Sequence, residues 1–262
     1  MEYLQPFRKE VKECIKTGTY IGSGNPNSKI LIVGKETSTD VENKANRDKH
    51  YVRFQRECLE DFKKNAIKWG LNIKNQVDAN SLPVWIGGKD SPLISNPLFP
   101  FKSLQTNQLK EGQTWRKYQK LHDLIFFGDI SLSREKEFNF HHNFFLTEMN
   151  NSPAKYSRDA DKSGISDRKH FFKDSVFIQG FPVVVLACSN YINGDEIKEI
   201  FNVSFNKQGG KRKQLFWTHY NSDYTKLVIH TRQLSTNVSN DLLIEIADEI
   251  RHFLRQKEVN ID

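Results

Sequence analysis

Residues 28–39 read SKILIVGKETST, an aliphatic run followed at once by glycine, lysine and glutamate. Four consecutive aliphatic residues, three of them β-branched, are typical of a short strand buried on both faces of a parallel sheet. Gly34 allows a sharp turn after this strand, and Glu36 follows the turn. Ligands of open α/β sheets bind beyond the carboxyl ends of the strands. The segment therefore predicts a first core strand that delivers Glu36 to a site.

Length, composition and charge limit the classes of protein to which the chain can belong. The chain has 262 residues, of which 37% are hydrophobic and 12% aromatic, so it can form one sizeable core. Its formal net charge of +7 favours a polyanionic partner, and nucleic acid fits that description. The three cysteines are isolated and show no metal-binding spacing, which is typical of reduced thiols.

Nothing in the sequence has the pattern of a membrane span or an export signal. The longest apolar run, residues 181–188, is far too short to cross a bilayer. The amino-terminal segment is charged and lacks the apolar centre of a signal peptide. We therefore expect a soluble cytoplasmic monomer that binds no metal and no membrane.

Alternating strand and helix patterns predict the architecture. Helical spacing of apolar residues occurs in residues 3–17, 51–69, 114–127, 168–179, 194–200 and 239–256, and short strands fit residues 30–33, 143–148, 182–187 and 226–230. This order predicts an α/β protein, a single three-layer α/β/α domain over residues 1–262 with a central four-stranded parallel sheet. Residues 70–112 are rich in proline and glycine. They belong to a large insertion between the first and second core strands, and we expect part of it to line the site.

Polar and ionisable residues follow all four predicted core strands. Lys35 and Glu36 follow the first strand, Glu148 ends the second, Ser189 follows the third and His230 ends the fourth. The carboxyl ends of parallel strands meet at one edge of a sheet, so these side chains would share a cleft. Polar loops after strands are also ordinary structural features, and that alternative stays open for each residue taken singly.

Three short segments resemble motifs of the uracil-DNA glycosylase-like superfamily. Residues 34–38, GKETS, stand where that family has its water-activating loop, which is Gly-Gln-Asp-Pro-Tyr in the uracil enzymes. Residues 230–235, HTRQLS, are similar to the family's second motif, His-Pro-Ser-Pro-Leu-Ser. Residues 145–148, FLTE, resemble the strand that ends in the family's base-reading asparagine. The resemblance covers about residues 20–256 and implies the family's α/β/α fold.

The resemblance also implies a DNA glycosylase-like hydrolase that cleaves the N-glycosidic bond of a modified or mispaired base without a cofactor. Glu36 would orient the attacking water and stabilise the sugar cation, and His230 would donate a hydrogen bond to the departing base. Double- or single-stranded DNA would be the partner, with Leu234 inserted into the base stack as a wedge. The substrate would contact Gly34, Lys35, Ser38, Glu148 and Asn150. The DNA would contact Arg232, Leu234 and Ser235.

The chain departs from the family's motifs at several positions. Thr37 and Thr231 replace motif prolines, and Ser38 replaces the tyrosine that excludes thymine, which would leave a roomier pocket. Glu148 replaces the base-reading asparagine. An ionised glutamate only accepts hydrogen bonds, so it would favour a base with an amino group, such as cytosine or adenine. Two alternatives therefore stay open: a non-catalytic or repurposed nucleic-acid-binding module on the same fold, and a nucleoside or nucleotide hydrolase.

A basic segment outside the motifs offers further contacts for DNA. Residues 207–213, KQGGKRK, indicate a loop between the third and fourth core strands. Its Lys211, Arg212 and Lys213 would hold phosphates, and the alternative is a solvated loop without a ligand. Arg232 would likewise hold a phosphate or pair with a carboxylate.

Aromatic and histidine side chains outside these segments have more than one interpretation. Phe99 or Phe101 would stack on a base, although packing in the core is the alternative for each. His141, His142 and His219 lack partners at metal-binding spacing, so we interpret them as structural or surface residues.

Overall fold

One mixed sheet organises the part of the chain that the computed structural model describes, which comprises residues 2–36, 47–78, 96–99, 113–129, 138–154, 156–235 and 237–256. Seven strands within these ranges lie in the order β1-β3-β2-β4-β7-β6-β5. They are β1 Ser23–Gly24, β2 Ile30–Gly34, β3 Phe144–Glu148, β4 Val183–Leu186, β5 Ser204–Lys211, β6 Gln214–Tyr220 and β7 Leu227–Thr231. The α/β class predicted from the sequence is therefore confirmed.

The four aliphatic strands predicted from the sequence lie side by side in the middle of this sheet. β3, β2, β4 and β7 are parallel neighbours, with Ile30 paired to Phe144 and to Val183, and Val183 paired to Leu227. Their aliphatic residues are almost fully buried, because helices cover both faces of a parallel sheet. The sheet extends beyond the four parallel strands that were expected, and it is mixed. β1 adds an antiparallel strand at one edge, and β6 and β5 add two more at the other.

The basic segment at residues 207–213 is a β-hairpin and not a loop. β5 runs to Lys211, β6 begins at Gln214, and these two residues pair across a two-residue turn. Gly210 has a φ of +85°, and a Cβ at this position would overlap the backbone of Gln214. The ring of Phe216 packs so closely over Gly209 that a Cβ there would also overlap it. The two glycines thus permit close packing within a strand, whereas in the sequence they indicated a loop.

Helices cover both faces of the sheet. They are α1 Gln5–Thr17, α2 Arg47–Asn75, α3 Gln113–Phe126, α4 Ile165–Asp174, α5 Val176–Gln179, α6 Gly194–Phe201 and α7 Asn240–Gln256. The single helix predicted over residues 168–179 is two helices, because Ser175 is extended and its hydroxyl caps α5 by accepting from the Ile178 N–H. Among the helices described, none combines the length and the apolar character needed to span a bilayer.

Alternate residues of each core strand point into two separate hydrophobic cores. Ile30 and Ile32 face α3 and α7, where they pack with residues such as Ile246. Leu31 and Val33 face the other helices and join a core that contains Phe7, Trp69, Phe172 and Ile197. This two-residue period is the geometry of a strand buried on both faces. Each large side chain buried in this way contributes about 1.5–3 kcal/mol relative to an exposed one.

Candidate active site

The carboxyl edge of the parallel strands brings together several of the predicted site residues. Lys35 and Glu36 directly follow β2, and Asn150 follows β3 by two residues. A short 3₁₀ turn, Ser189–Tyr191, follows β4, and His230 is the penultimate residue of β7. The first residues of the two sequence motifs, far apart in the chain, therefore lie at one edge of the sheet, as expected for neighbouring parallel strands.

The basic hairpin turn lies at the same edge. β6 is antiparallel to β7, and Phe216 pairs with Thr231, the last residue of β7. The residues that precede Phe216 in β6 therefore extend past the carboxyl end of β7. Lys211, Arg212 and Lys213 at the turn are all exposed. We call these three residues the basic tip.

Glu36 is a buried carboxylate with a hydrogen bond at each oxygen. Only 7% of the residue is exposed. Its Oε1 accepts from the Ser157 hydroxyl, and its Oε2 accepts from the Tyr191 hydroxyl at 2.5 Å. Burying a charged carboxylate is costly unless donors replace the lost water, and these two hydroxyls do so. Burial, followed by the hydrogen bond to Glu36 and its charge, raises the pKa of Tyr191 far above its usual range, so Tyr191 stays a donor.

Two lysines lie close to the aromatic ring that holds Glu36. The Nζ atom of Lys35 is 4.7 Å from the centroid of the Tyr191 ring, and that of Lys162 is 5.8 Å from it. Lys35 Nζ also lies 3.5 Å from the Asn190 side-chain oxygen. The ammonium groups interact with the negative face of the ring. A buried acid and two cations thus occur together around Tyr191.

His230 is held in one tautomer by a backbone carbonyl. Its Nε2 lies 2.8 Å from the Ser189 carbonyl oxygen, which can only accept, so Nε2 carries the proton. Burial lowers the pKa of His230, and the bond to Ser189 opposes that shift only in part. The imidazole is therefore neutral at pH 7, and its Nδ1 is an acceptor. The Trp217 ring, on the neighbouring strand, lies 5.4 Å from the imidazole between ring centroids.

One short turn contacts both members of the predicted catalytic pair. Within Ser189–Tyr191, the Ser189 carbonyl accepts from His230 and the Tyr191 hydroxyl donates to Glu36. The Ser189 hydroxyl also accepts from the backbone N–H of Gln233 at 3.2 Å. The turn therefore connects the loops that follow β2, β4 and β7. Glu36 and His230 lie on either side of it.

Glu148 lies against the backbone of the first motif. A Cβ on Gly34 would overlap the Glu148 carboxylate, so glycine is required for this contact. Gly34 and Glu148 are also register partners in β2 and β3. Glu148 therefore contacts the first motif at Gly34.

Arg168 fixes the end of β3 from beneath the site. This buried guanidinium donates to the Tyr20 carbonyl at 2.6 Å, the Thr147 hydroxyl at 2.8 Å and the Glu148 carbonyl at 3.1 Å. Burial lowers the pKa of Arg168 to about 10, so the guanidinium remains charged at pH 7. Two of these oxygens belong to the end of β3 and the third to the segment before β1, so one side chain holds the two segments together.

Asn150 holds loops together around Glu36. It is 1% exposed, and its side chain donates to the Asp161 carbonyl at 2.9 Å and accepts from the Ser152 N–H at 3.0 Å. Its backbone N–H donates to the Lys35 carbonyl at 2.8 Å. These bonds make Asn150 a structural link between the loops after β2 and β3.

Leu234, expected to be inserted into DNA, is a core residue. It is 0% exposed and packs in the core with α3 and α7, so insertion into a base stack would require its removal from that core. Arg232 lies beside the basic tip, with its Nη1 3.5 Å from the Lys213 carbonyl oxygen. Ser235 is half-buried, and its backbone N–H donates to the Gln233 carbonyl at 2.9 Å.

Several further expectations concern the insertion. Phe99 is 3% exposed and packs in the core, so stacking on a base was the wrong alternative for it. Ser38 and Phe101 lie outside the described residues. The same holds for residues 79–95 and 100–112, which are most of the segment that was expected to line the site.

Three side chains at this edge were missed by the sequence analysis. Tyr191 follows the third core strand within a few residues, so the rule that led to Glu36 could also have found it. Trp217 lies on a strand that carries no clear alternation. Ser157 lies in a polar loop, and no local pattern distinguishes it from its neighbours. Within the described ranges, no group of three or more His, Cys, Asp or Glu side chains could hold a metal ion.

Comparisons of the whole chain with protein-family models, curated proteins and solved structures find no match.

Proposed function

We propose that this chain is a DNA glycosylase-like hydrolase that removes a modified or mispaired base from DNA. The observation that carries the proposal is Glu36, a buried carboxylate fixed by Tyr191 and Ser157 at the carboxyl edge of parallel strands. His230 contacts the same turn as Glu36, and the basic tip lies at the same edge. The resemblance of the two motifs to the uracil-DNA glycosylase-like superfamily gives this arrangement its chemical interpretation.

Glu36 fits the requirements of N-glycosidic bond cleavage. Cleavage creates a positive, oxocarbenium-like sugar, and a fixed carboxylate stabilises that charge without reorganising. Each carboxylate oxygen has two lone-pair sites, so Glu36 can accept from a water while it keeps its bonds to Tyr191 and Ser157. In this proposal the carboxylate orients that water for attack on the sugar carbon from which the base departs.

The tautomer of His230 determines which hydrogen bond its ring can form with a substrate. With Nε2–H bonded to Ser189, a neutral imidazole offers only the Nδ1 lone pair, which accepts from an N–H group. Donation to a departing base would require the ring to leave the Ser189 carbonyl. In the described conformation, His230 can accept a hydrogen bond from an N–H group, which every common base carries, so it does not by itself choose the base. The choice comes from Glu148, which as an ionised carboxylate at the base-reading position only accepts hydrogen bonds, so we propose a base with an exocyclic amino group.

The cations at this edge suit a polyanion. Lys211, Arg212 and Lys213 project at the exposed tip, and Lys35 and Lys162 lie near Glu36. Lysine and arginine contacts with phosphates supply most of the sequence-independent affinity for DNA. Holding the backbone would also offset the cost of extruding a base, which is about a few kcal/mol.

A second candidate is a nucleic-acid-binding module without catalysis. Both Glu36 oxygens and the His230 Nε2 already have protein partners, and such bonds could serve stability alone. The missing motif prolines favour the same alternative. The two candidates make the same prediction for binding and opposite predictions for product.

The test is base release from defined duplexes. The protein is incubated with duplexes that each carry one altered base, and abasic sites are revealed by alkaline strand cleavage. We expect product from at least one base with an amino group. Glu36→Gln should abolish it and His230→Ala should reduce it, whereas Glu60→Gln, which neutralises an exposed carboxylate on α2, should leave it unchanged.

Each other result has a definite meaning. Tight binding without product would overturn the hydrolase and support the binding module. Release of base from free nucleosides only would indicate a nucleoside hydrolase. Product that survives Glu36→Gln would remove Glu36 from the mechanism.

A further inference from the structure

Ser189 has an uncommon backbone conformation at the carboxyl end of β4. Its φ is +50°, in the left-handed region that residues other than glycine rarely adopt. The residue follows β4 and opens the turn Ser189–Tyr191. Such a conformation persists only where the surrounding structure imposes it, and residues held in this way cluster at functional sites. The contacts of Ser189 show what this conformation provides.

The residues on either side of Ser189 are fixed in the core. Cys188 is 0% exposed and Tyr191 is 5% exposed, and both belong to the core that contains Leu31 and Val33. The Tyr191 N–H donates to the Cys188 carbonyl at 3.2 Å and closes the turn. Ser189 itself is only half-buried. The turn is therefore anchored at both ends, and this anchoring holds Ser189 in its conformation.

Ser189 holds the loop after β7 through two hydrogen bonds. Its carbonyl accepts from His230 Nε2 at 2.8 Å, and its hydroxyl accepts from the Gln233 N–H at 3.2 Å. The two donors lie on either side of Thr231, the residue at which β7 ends. One residue after β4 therefore fixes both the imidazole and the backbone that follows it.

The hydroxyl distinguishes Ser189 from the residue type that suits its backbone best. Glycine adopts a positive φ without steric cost, but it has no side chain that accepts from Gln233. Asparagine tolerates the same conformation and has a side-chain oxygen that accepts hydrogen bonds. The contact with His230 uses the backbone carbonyl, which every residue has. Substitution at position 189 can therefore remove the bond to Gln233 and keep the acceptor for His230.

The same turn also holds the carboxylate proposed for catalysis. The Tyr191 hydroxyl, two residues after Ser189, donates to Glu36 Oε2 at 2.5 Å. His230 and Glu36 belong to different parts of the chain, and both are bonded to this short turn. A change at Ser189 would therefore alter the position of the imidazole relative to the carboxylate.

We propose that Ser189 is a positioning residue for the reaction at Glu36 and that it acts through His230. Its carbonyl keeps the Nε2–H tautomer of His230, and its hydroxyl keeps the loop after β7 at the position where that bond forms. The effect on base release rests on the proposed function. The effect on the His230 ring does not, because it requires no reaction.

The first test observes the His230 ring and the Gln233 N–H by NMR in the full chain without substrate. Ser189→Gly removes the hydroxyl and accepts the positive φ, so this variant should fold. We expect the Gln233 N–H to exchange with solvent about tenfold faster or more, because the loop opens locally. The ring nitrogen shifts of His230 should move from the Nε2–H tautomer toward a mixture of both tautomers.

Asparagine at the same position provides the rescue. Ser189→Asn keeps a side-chain acceptor in the same backbone conformation and should restore both NMR signals. Unchanged exchange and unchanged ring shifts in Ser189→Gly would overturn the proposal. Faster exchange with an unchanged tautomer would limit Ser189 to the loop, and it would overturn the proposal as well.

The second test measures base release in single turnovers with a duplex that the native protein cleaves. Small displacements of positioned groups have large effects on rates, so we expect Ser189→Gly to lower the rate about tenfold and to leave duplex affinity unchanged. Ser189→Asn should restore the rate. A native rate in Ser189→Gly would refute a role in the reaction. If the native protein releases no base, the proposed function fails, and the NMR test still decides whether Ser189 positions the ring.

Gln76→Gly is the matched control. Gln76 is exposed directly after α2 and has a φ of +51°, so glycine relieves the same conformation there. This variant should change neither the His230 signals nor the rate of base release. Equal effects of the two glycine variants would attribute the change to general flexibility of the backbone and would contradict a specific role for the Ser189 hydroxyl.

Discussion

Tyr191 donates a 2.5 Å hydrogen bond to Glu36 across 155 positions of sequence. This bond joins the end of one parallel strand to the end of its neighbour. Tyr191→Phe would remove the donor and keep the ring, which leaves a buried carboxylate oxygen short of one partner. We expect the free energy of unfolding to fall by about 1–3 kcal/mol. We also expect the single-turnover rate of base release to fall more than substrate affinity, because the carboxylate loses its fixed orientation.

The control for this variant is Tyr224→Phe, which removes a tyrosine hydroxyl at the opposite edge of the sheet. It should alter neither stability nor base release. An unchanged rate in Tyr191→Phe would mean that the hydrogen bond from the Tyr191 hydroxyl does not contribute to base release by Glu36.

Gly34→Ala tests the contact between the first motif and Glu148. The new methyl group would overlap the Glu148 carboxylate, so we expect a loss of stability of about 1–3 kcal/mol, measured by urea unfolding. Glu148→Ala removes the group that is overlapped. The same Gly34→Ala change made in a Glu148→Ala background should therefore cost much less. Equal costs in the two backgrounds would show that strain arises elsewhere.

The basic tip should set part of the salt dependence of DNA binding. If Lys211, Arg212 and Lys213 each contact a phosphate, replacing all three by glutamine should reduce the slope of log K against log salt by about 2–3. Replacing Lys9, Lys12 and Lys16 of α1 by glutamine changes the net charge equally. That control should lower affinity slightly and keep the slope, and an identical slope change in both variants would argue against a specific contact at the tip.

His230 should titrate below the ordinary histidine range. Burial lowers its pKa, so between the folded pKa and about 6.5 the folded chain binds fewer protons than the unfolded chain. Burial of the neutral His230 ring therefore costs no stability above about pH 6.5, and the free energy of unfolding decreases as the pH falls below that value. We expect the NMR titration of the His230 ring to have a midpoint below 6.5. Nitrogen shifts should report Nε2–H, and an Nδ1–H tautomer would contradict the bond to Ser189.

Because of Lys226, we expect the free energy of unfolding to increase as the pH rises above about 8. Its ammonium is buried against the Gln179 and Phe181 carbonyls, each at 2.7 Å, and burial lowers its pKa to about 8 from 10.5. Between these values the unfolded chain binds a proton that the folded chain lacks, so stability increases with pH. A neutral amine still donates to both carbonyls. Relative to Lys226→Met, the native protein should gain about 2–3 kcal/mol between pH 7.5 and 10, measured by urea unfolding. A constant difference would refute the shift.

The central strands could be predicted because each one contains a run of consecutive aliphatic residues. Residues 30–33 and 183–186 are aliphatic throughout, a pattern that is typical of a short strand covered on both faces. The rule that ligands bind at carboxyl ends then placed Glu36 and His230 at one edge. Both inferences rest on local composition and on a general property of parallel sheets.

The hairpin could not be predicted in the same way. β5 is exposed along most of its length and carries two adjacent glycines, so its sequence has neither alternation nor apolar content. Its strand conformation comes from pairing with β6, which the local sequence does not encode. Ser157, a partner of Glu36, was missed for a related reason, because it reaches Glu36 through tertiary folding alone.

The hairpin is appended at the outer side of β7, and its reversal needs only the two residues between Lys211 and Gln214. Nothing in the central parallel strands depends on which side chains occupy that reversal. The residues of the basic tip can therefore be replaced, by engineering or in evolution, while Glu36 and His230 keep their positions. Under the proposed function, changes in the hairpin turn would alter which nucleic acid is bound without altering the residues proposed for catalysis.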